Sequence, residues 1–437
     1  MDDGHGEVSR FAGNSSTAPA SLWEATAHPA PALPVATGVI DTDVAIVGAG
    51  FTGLTTALEL AAGGVQPVVL EAAEPGWGGS GRNGGQVIPG LKLDPDEILT
   101  RFGPEIGPRL VAFAGSAPDA VFSNIERYGI DCQAVRAGWI QPAHNDATLK
   151  LVADRCAQWR RHGADVEMLS SADVARLIGT NIYCGGWLDR RAGAIHPLNY
   201  ARGLARAALE RGVALHGNSP VVDITRRGAQ WELETPAAKV RAKRVLLCTN
   251  AYSGELAGGL KRTFIAPNSF QIATKPLSPE VRRSILGEGH VASDARRLLL
   301  YYRLDPAGRL LLGGRGTFRD PVDAEAFSHL ERGMKAMFPQ AAAAEIEFRW
   351  SGRVSITLDH LPHLHDLTDG LYAVTGYNGR GVALTSAVGK ALGQWLLDPT
   401  NALPIPLSKP GHIPMHRLQE LYVAAGSAWY RFRDWMT

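Results

Sequence analysis

The sequence predicts a mixed α/β protein, α+β overall, with a Rossmann-like nucleotide-binding domain and at least one further domain. Three observations carry this expectation. The chain has 437 residues, too many for one ordinary hydrophobic core. Residues 43–71 read in succession as strand, glycine-rich turn, helix and strand, which makes a compact βαβ unit. A strand, a glycine turn and a helix recur at 371–397, more than 300 residues later.

Residues 1–37 are rich in Pro, Ala, Ser and Thr, with PAPALP at 29–34, and are expected to form an arm over the surface. The apolar run Asp43–Val47 reads as a buried parallel strand. The turn Gly48-Ala-Gly-Phe-Thr-Gly53 follows, then a helix over 54–62 that Gly63-Gly64 ends. Residues 65–70 return as a second strand, closed by Glu71. Further along, 197–211 reads as a helix and 213–216 as a strand. Segments 231–235 and 239–242 read as a hairpin pair, and 244–249 as another buried strand. Residues 264–274 have strand character, and 298–304 and 309–313 form a hairpin around Asp305-Pro-Ala-Gly308. A strand at 371–375 and a helix over 382–397 follow, and the tail 416–435 reads as an aromatic helix pair. That tail is expected to pack on the body; the other reading is a membrane-surface or oligomer contact through Trp429, Tyr430, Phe432 and Trp435.

Composition excludes several classes. Net charge is +1 with no dense basic stripe, which argues against nucleic acid as a main partner. No run of 18 apolar residues occurs, so no spanning helix is expected. The start, MDDGHGEVSR, lacks the apolar core of a secretory signal. Cys132, Cys156, Cys184 and Cys248 form no CxxC pair and no zinc spacing, so free thiols in a reducing, cytoplasmic setting are expected. The 49 glycines concentrate in a few turns, a sign of close backbone approach to a ligand.

The first glycine turn carries a specific expectation. Gly48 permits a tight turn, Gly50 lets the backbone approach a pyrophosphate, and Gly53 lets helix and strand pack closely. Phe51 and Thr52 lie in this turn, just before the helix, whose N-terminus offers unpaired N–H groups and a positive dipole end. Glu71, 18 residues after Gly53 with Ala72 beside it, is placed to accept hydrogen bonds from ribose hydroxyls. This fingerprint alone does not separate FAD from NAD. The second turn, Gly376-Tyr-Asn-Gly-Arg-Gly381, opens another helix, suited to a flavin ring edge that gains negative charge on reduction. Two glycine-led helix starts so far apart point to a large bipartite ligand, and FAD is such a ligand.

Together DVAIVGAGFTGL, Glu71, GSGRNGGQV and GYNGRGVALTSAVGKAL resemble the D-amino acid oxidase superfamily of flavin oxidoreductases. Within it the chain is similar to the gamma-glutamylputrescine oxidase-like branch, over roughly residues 20–435 and including SLWEAT and AWYRFRDWM. The resemblance implies a discontinuous FAD-binding domain (38–92, 150–262 and 346–400), a substrate domain on an antiparallel sheet (93–149 and 263–345), and a C-terminal tail (401–437). It places Ser80, Gly81, Arg82, Asn83, Gly84, Gly85 and Gln86 near the pyrophosphate and ring. It gives Val222 a backbone contact to the adenine side, and sets Thr249 and Asn250 beside the first glycine loop. Gly376, Asn378, Gly379, Arg380, Gly381 and Val382 would serve the ring end. Sarcosine oxidase-like relatives attach flavin through a cysteine in the C-terminal half; the last cysteine here is Cys248, so non-covalent FAD is implied. Those relatives also place a lysine beside the ring, whereas the matching strand here, Arg309-Leu-Leu-Leu-Gly313, has none, which counts against fast reaction with oxygen.

The implied reaction is oxidation of an amine or amino acid C–N bond, with a gamma-glutamylated amine as the branch substrate and oxygen as the acceptor. Alternatives are a dehydrogenase passing electrons to a quinone or protein, and a non-catalytic FAD-binding subunit. Arg353 matches the substrate-carboxylate position of glycine oxidase-like relatives; a structural salt bridge is the other reading. His360, in a segment with Asp359, His363, His365 and Asp366, is a candidate ring neighbour. The spacing of that segment fits no zinc helix, and Pro362 argues for a loop, so no metal is expected. Tyr301 and Tyr302 must face opposite ways on a strand; Tyr302 is a candidate substrate contact, as is Trp77, with weaker claims for Gln271 and Lys275.

Overall fold

The computed structural model describes residues 21–296 and 299–423. Two large sheets organise it. The first has nine strands, and its parallel core runs Leu371–Thr375, Ala238–Leu247, Gly38–Val47, Val68–Leu70, Ala214–His216. His363–Thr368 joins antiparallel beyond Leu371–Thr375 and carries Leu407–Ser408 at the outer edge. Helices Phe51–Ala62, Pro197–Glu210 and Gly381–Leu397 pack against one another and on this sheet through Val44, Ile46, Leu54, Leu58, Leu204 and Leu384, all essentially buried.

The second sheet has eight strands in the order Ile346–Arg353, Asn268–Thr274, Leu310–Arg315, Tyr301–Leu304, Val291–Ser293, Trp139–Ala143, Gly185–Asp189, Val166–Ser170. All pairs are antiparallel except Val291–Ser293 with Trp139–Ala143. One face is closed by a core of Tyr302, Phe270, Phe338, Leu330 and Met334. Two strands within the expected 150–262 segment, Val166–Ser170 and Gly185–Asp189, belong to this sheet, because their ladders run to Trp139–Ala143.

Several elements differ from the sequence reading. The first strand starts at Gly38, five residues early, because its exposed half pairs in parallel with 238–242. The segments read as 239–242 and 244–249 are one strand, Ala238–Leu247; its first half pairs with Gln230–Glu234 while its second half enters the parallel core. The arm is anchored from its first described residues: Leu22 and Trp23 are buried, and Trp23 Nε1 donates to the Asn83 carbonyl at 2.8 Å. In the tail, His416–Leu418 is a 3-10 turn that leads into helical residues 419–423, while Trp429, Tyr430, Phe432 and Trp435 lie outside the described residues. No described helix is long and apolar enough to cross a membrane. The four cysteines are free thiols.

Candidate cofactor and substrate site

The first glycine turn is built by exclusion of side chains. Gly48 has φ +104°, in the region L side chains rarely adopt. A Cβ on Gly53 would lie 2.1 Å from the Gly48 carbonyl oxygen, and one on Gly50 would lie 2.8 Å from Ser80 Oγ. Ser80 Oγ accepts from the Phe51 amide at 3.0 Å. The amides of Thr52 and Gly53 stand in the first helical turn, where no helical acceptor exists, and that turn holds no acid. Glu71 is buried at the end of the second strand; its carboxylate accepts from the Ala49 and Ala73 amides at 2.7 and 3.0 Å. Burial pushes its pKa up, against the pull of these N–H groups. Ala72 lies between these contacts, half-buried.

Val222 does not serve this end through its amide. Its N–H donates to the Glu234 carbonyl at 2.8 Å and its side chain is 45% exposed. Val221 is the better-placed residue: it packs with Val47 and Leu70, and its backbone N–H and C=O have no partner among the described residues. The Pro220 before it marks the position in the sequence, but two adjacent valines hide which one turns inward.

The stretch 76–87 forms a short helix, Gly79–Arg82, and then an extended run. Arg82 Nε donates to the Trp77 carbonyl at 2.8 Å, and its guanidinium lies 4.9 Å from the Trp77 ring centre. Asn83 Nδ2 donates to the Gly79 and Ser80 carbonyls, while its Oδ1 accepts from the Gly85 amide. Gln86 Nε2 donates to the carbonyls of Ala292 and Tyr302. Gln271 and Trp350 reach in from the second sheet to the Arg82 carbonyl, at 2.6 and 3.1 Å. These polar side chains therefore shape the stretch and dock it on the second sheet, a different task from the ligand contacts expected of Arg82, Asn83 and Gln86. Gly81, Gly84 and Gly85 permit the docking: a Cβ would meet the Gly76 carbonyl, the Tyr301 ring and the Ile195 carbonyl at 2.3, 2.8 and 2.2 Å.

The second turn is pinned by distant residues. The Gly376 amide donates to Ser355 Oγ and Asn250 Oδ1 at 3.0 and 3.2 Å. Thr249 is occupied locally, its hydroxyl 2.8 Å from Ser253 Oγ. Asn378, buried at φ +53°, accepts from the Thr357 amide at 3.0 Å and donates to Thr357 Oγ1 and the Gly376 carbonyl. It is a structural pin. Gly379 faces open space and Arg380 caps the helix that Gly381 and Val382 begin. Tyr377, not singled out from sequence although it lies inside GYNGRG, bonds Thr52 Oγ1 through its hydroxyl at 2.8 Å. The two glycine-led helices pack without intervening bulk: a Cβ on Gly389 would lie 2.7 Å from the Thr52 carbonyl. The two helices run parallel, the second beginning eight residues, roughly 12 Å, ahead of the Gly389–Thr52 contact, so the two N-termini are spaced along one line, which suits one extended anionic ligand. The glycine cradle, the unpaired first-turn amides, buried Glu71 and the adjoining second helix start fit FAD.

The candidate chemical residues separate. Tyr302 is fully buried in the core behind the second sheet, bonded to the Tyr183 hydroxyl and edge-on to Phe338; it is not a substrate contact. Tyr301 faces the other way, against Gly84, with its hydroxyl 2.9 Å from Ser269 Oγ. Trp77 stacks edge-on with Tyr252, whose hydroxyl accepts from the Arg353 amide. Arg353 ends an edge strand, 39% exposed and 3.7 Å from Asp320. His360 is exposed at φ +58°. His363 is held by Asp359 at 3.0 Å and stacks on buried His365, and Asp366 pairs with Lys409. Lys275 pairs with Glu345 at the surface. Among the described residues no group of three or more His, Cys, Asp or Glu is placed to hold a metal ion.

Residues 43–395 match the DAO family, FAD dependent oxidoreductase, and the chain belongs to this family, whose members bind FAD. It is 32% identical to the "Probable oxidoreductase OrdL" of Haemophilus influenzae over 92% of this chain and 94% of that protein. It is 33% identical to the gamma-glutamylputrescine oxidoreductase of Escherichia coli over 90% of this chain and 93% of that protein. Glycine oxidase from Geobacillus kaustophilus shares the fold, with TM-score 0.69 at 23% identity over 82% of this chain and 95% of that one. L-proline dehydrogenase from P. horikoshii does so with TM-score 0.70 at 17% identity, over 84% and 96%.

Proposed function

We propose that this member of the DAO family oxidises the C–N bond of an amine or amino acid, a gamma-glutamylated amine being the favoured substrate. The observation that carries the reading is the pair of helix N-termini joined by Thr52 and Tyr377 in a chain 33% identical to a gamma-glutamylputrescine oxidoreductase along nearly its whole length. When bound, FAD supplies the two-electron acceptor for the reaction. In balance, the substrate gives up a hydride from carbon and a proton from nitrogen to become an imine, and water then releases a carbonyl compound and an amine.

The chain's own residues do the rest. Gly48, Gly50 and Gly53 bring backbone amides to the pyrophosphate, and Glu71 and Val221 serve the adenosine half. Gly379, Gly381 and Val382 present the second helix start to the ring end. Tyr301 and Trp77 border the docked glycine stretch on the substrate side. The protein holds FAD without a covalent bond and works in the cytoplasm.

Anaerobic mixing tests the reading: gamma-glutamylated amines are expected to bleach the flavin absorbance, ahead of N-methyl amino acids and D-amino acids. If no member of the panel bleaches a flavin-replete protein, the catalytic reading fails and a flavin-binding subunit takes its place. Oxygen is the acceptor in this proposal. The absence of lysine from Arg309–Gly313 favours a dehydrogenase as the second reading, and turnover that reduces a dye without forming peroxide would establish it.

A further inference from the structure

Two successive carbonyls of the 76–87 stretch are held from outside it. The Arg82 carbonyl accepts from Gln271 Nε2 and Trp350 Nε1, both on the second sheet. The Asn83 carbonyl accepts from Trp23 Nε1 at 2.8 Å, and Trp23 belongs to the N-terminal arm. Among the described residues no other donor reaches that oxygen.

The arm gives Trp23 one orientation. Ser21 Oγ accepts from the Glu24 amide at 3.1 Å and starts the short helix Leu22–Thr26. That turn drives the indole, 1% exposed, between Leu198 of the helix Pro197–Glu210 and Leu311 and Trp350 of the second sheet. The ring stands edge-on to His196 and Trp350, with ring centres 4.9 and 5.9 Å away, and the Arg303 guanidinium lies 5.2 Å from its centre. Thr26 locks the turn from behind: its hydroxyl donates to the Leu22 carbonyl at 2.7 Å and lies 3.0 Å from His196 Nε2. His196 Nδ1 accepts from the Asn199 amide at 3.1 Å, so the neutral ring donates through Nε2 to Thr26. Burial, with repulsion from Arg303, pushes His196 down to about 3 and keeps it neutral. The indole has a single donor, and it is committed to the Asn83 carbonyl.

The consequence lies on the far side of the peptide. No cis bond occurs among the described residues, so the N–H of the Asn83–Gly84 peptide points opposite to its C=O. Gly84 N–H is therefore aimed away from Trp23, and among the described residues it has no acceptor. The Asn83 side chain ties itself to the Gly79 and Ser80 carbonyls and the Gly85 amide, which leaves the carbonyl to be fixed separately. Glycine at 84 supplies little restraint on that peptide plane, so the bond to Trp23 sets it. The same arm also meets the adenosine end of the cradle: the Ala36 amide donates to Ser219 Oγ at 2.9 Å, and the Ser219 amide to the Glu71 carbonyl at 2.8 Å.

We propose that Trp23 is a positioning residue for the flavin: by holding the Asn83 carbonyl it orients the Asn83–Gly84 peptide and presents the Gly84 N–H to the ring. The proposal rests on the reading that lays the 79–86 stretch against FAD, but its test needs no substrate. Trp23→Phe keeps a ring in the cluster and removes the donor. The midpoint potential of the bound flavin is measured by equilibration with a reference dye, with no amine present. A hydrogen bond to the ring is made unequally to its two redox states. Its loss is expected to change the ratio of affinities for oxidised and reduced FAD about tenfold, which for a two-electron couple is about 30 mV in midpoint potential. Packing alone would weaken both states alike and leave the potential unmoved. Thr26→Val is the control: it loosens the same turn and leaves the indole donor in place. It is expected to lower the melting temperature as Trp23→Phe does, with the affinity ratio within about twofold of the parent. Trp23→Tyr repeats the measurement if Trp23→Phe is not obtained folded. An unchanged potential in a flavin-replete Trp23→Phe protein overturns the proposal and assigns Trp23 to packing. An equal shift in Thr26→Val overturns it as well, because the Asn83 bond is then not the cause. Failure of every amine to bleach the flavin, while the potential still depends on Trp23, refutes the catalytic reading and leaves this assignment standing.

Discussion

The two glycine turns look alike in sequence and are built on different principles. At 48–53 the backbone does the work. Gly48, Gly50 and Gly53 clear the space, Ser80 and Glu71 bind amides close by, and no side chain from the second sheet is needed. At 376–381 the backbone is held by long-range side-chain bonds: Ser355 and Asn250 accept from the Gly376 amide, and the turn's own Asn378 accepts from the Thr357 amide. A motif set by steric exclusion is portable and readable, whereas one set by long-range hydrogen bonds depends on the fold around it.

The largest expected effect tests the first turn. Gly53→Ala puts a Cβ 2.1 Å from a backbone oxygen, so the strand and helix must separate, at a cost on the order of 4 kcal/mol or more. Soluble yield and flavin absorbance per chain should both collapse; a normal flavin content would show that the exclusion argument is wrong.

The second turn should fail more gently. Asn378→Ala strands the Thr357 amide and retains the unfavourable positive φ, for a loss of about 3 kcal/mol. Asn378→Gly should recover the conformational part only. Thermal unfolding of both variants separates the two contributions, and identical melting temperatures would mean that φ contributes nothing.

Glu71→Gln keeps the shape and removes the charge from the carboxylate that meets Ala49 and Ala73. FAD reconstitution of the apoprotein should weaken about tenfold, or about 1.4 kcal/mol. Arg82→Ala removes one hydrogen bond and a ring contact within the 76–87 stretch. It should cost about 1 kcal/mol in stability while flavin content stays near the parent value. A large loss of flavin would restore a direct ligand role for Arg82.

A pH dependence gives a further test. Desolvation pushes the Lys92 ammonium down to about 7 in the folded chain, from its ordinary 10.5. Between those values the unfolded chain binds the extra proton, so stability rises with pH from about 7 toward 10.5. Melting temperatures from pH 7 to 10 should climb more in the parent than in Lys92→Met, and parallel curves would count against the desolvated lysine.

Much of the cofactor end was legible. The βαβ unit, the glycine spacing, Glu71 and the helix at 382–397 follow from local rules of turn, cap and packing. Less was legible where a residue's task depends on its neighbours across the fold. Asn83 and Gln86 have ligand-binding chemistry, but nearby carbonyls take their amides first. Tyr301 and Tyr302 are adjacent and alike; only the helices packed behind the second sheet decide that Tyr302 is core. Lys92 drew no attention because a lysine between two leucines reads as a surface residue on a short run.

The sequence by itself determined that two helices begin on glycine, because a glycine at a close approach or a positive φ is a local necessity written at one position. The tertiary structure alone decided that these two helices lie parallel and that the turn before the second reaches the start of the first, through Gly389 against Thr52 and Tyr377 on Thr52. It alone also brought Gln271 and Trp350 to the Arg82 carbonyl. Such pairings join residues hundreds of positions apart, and no local pattern carries them.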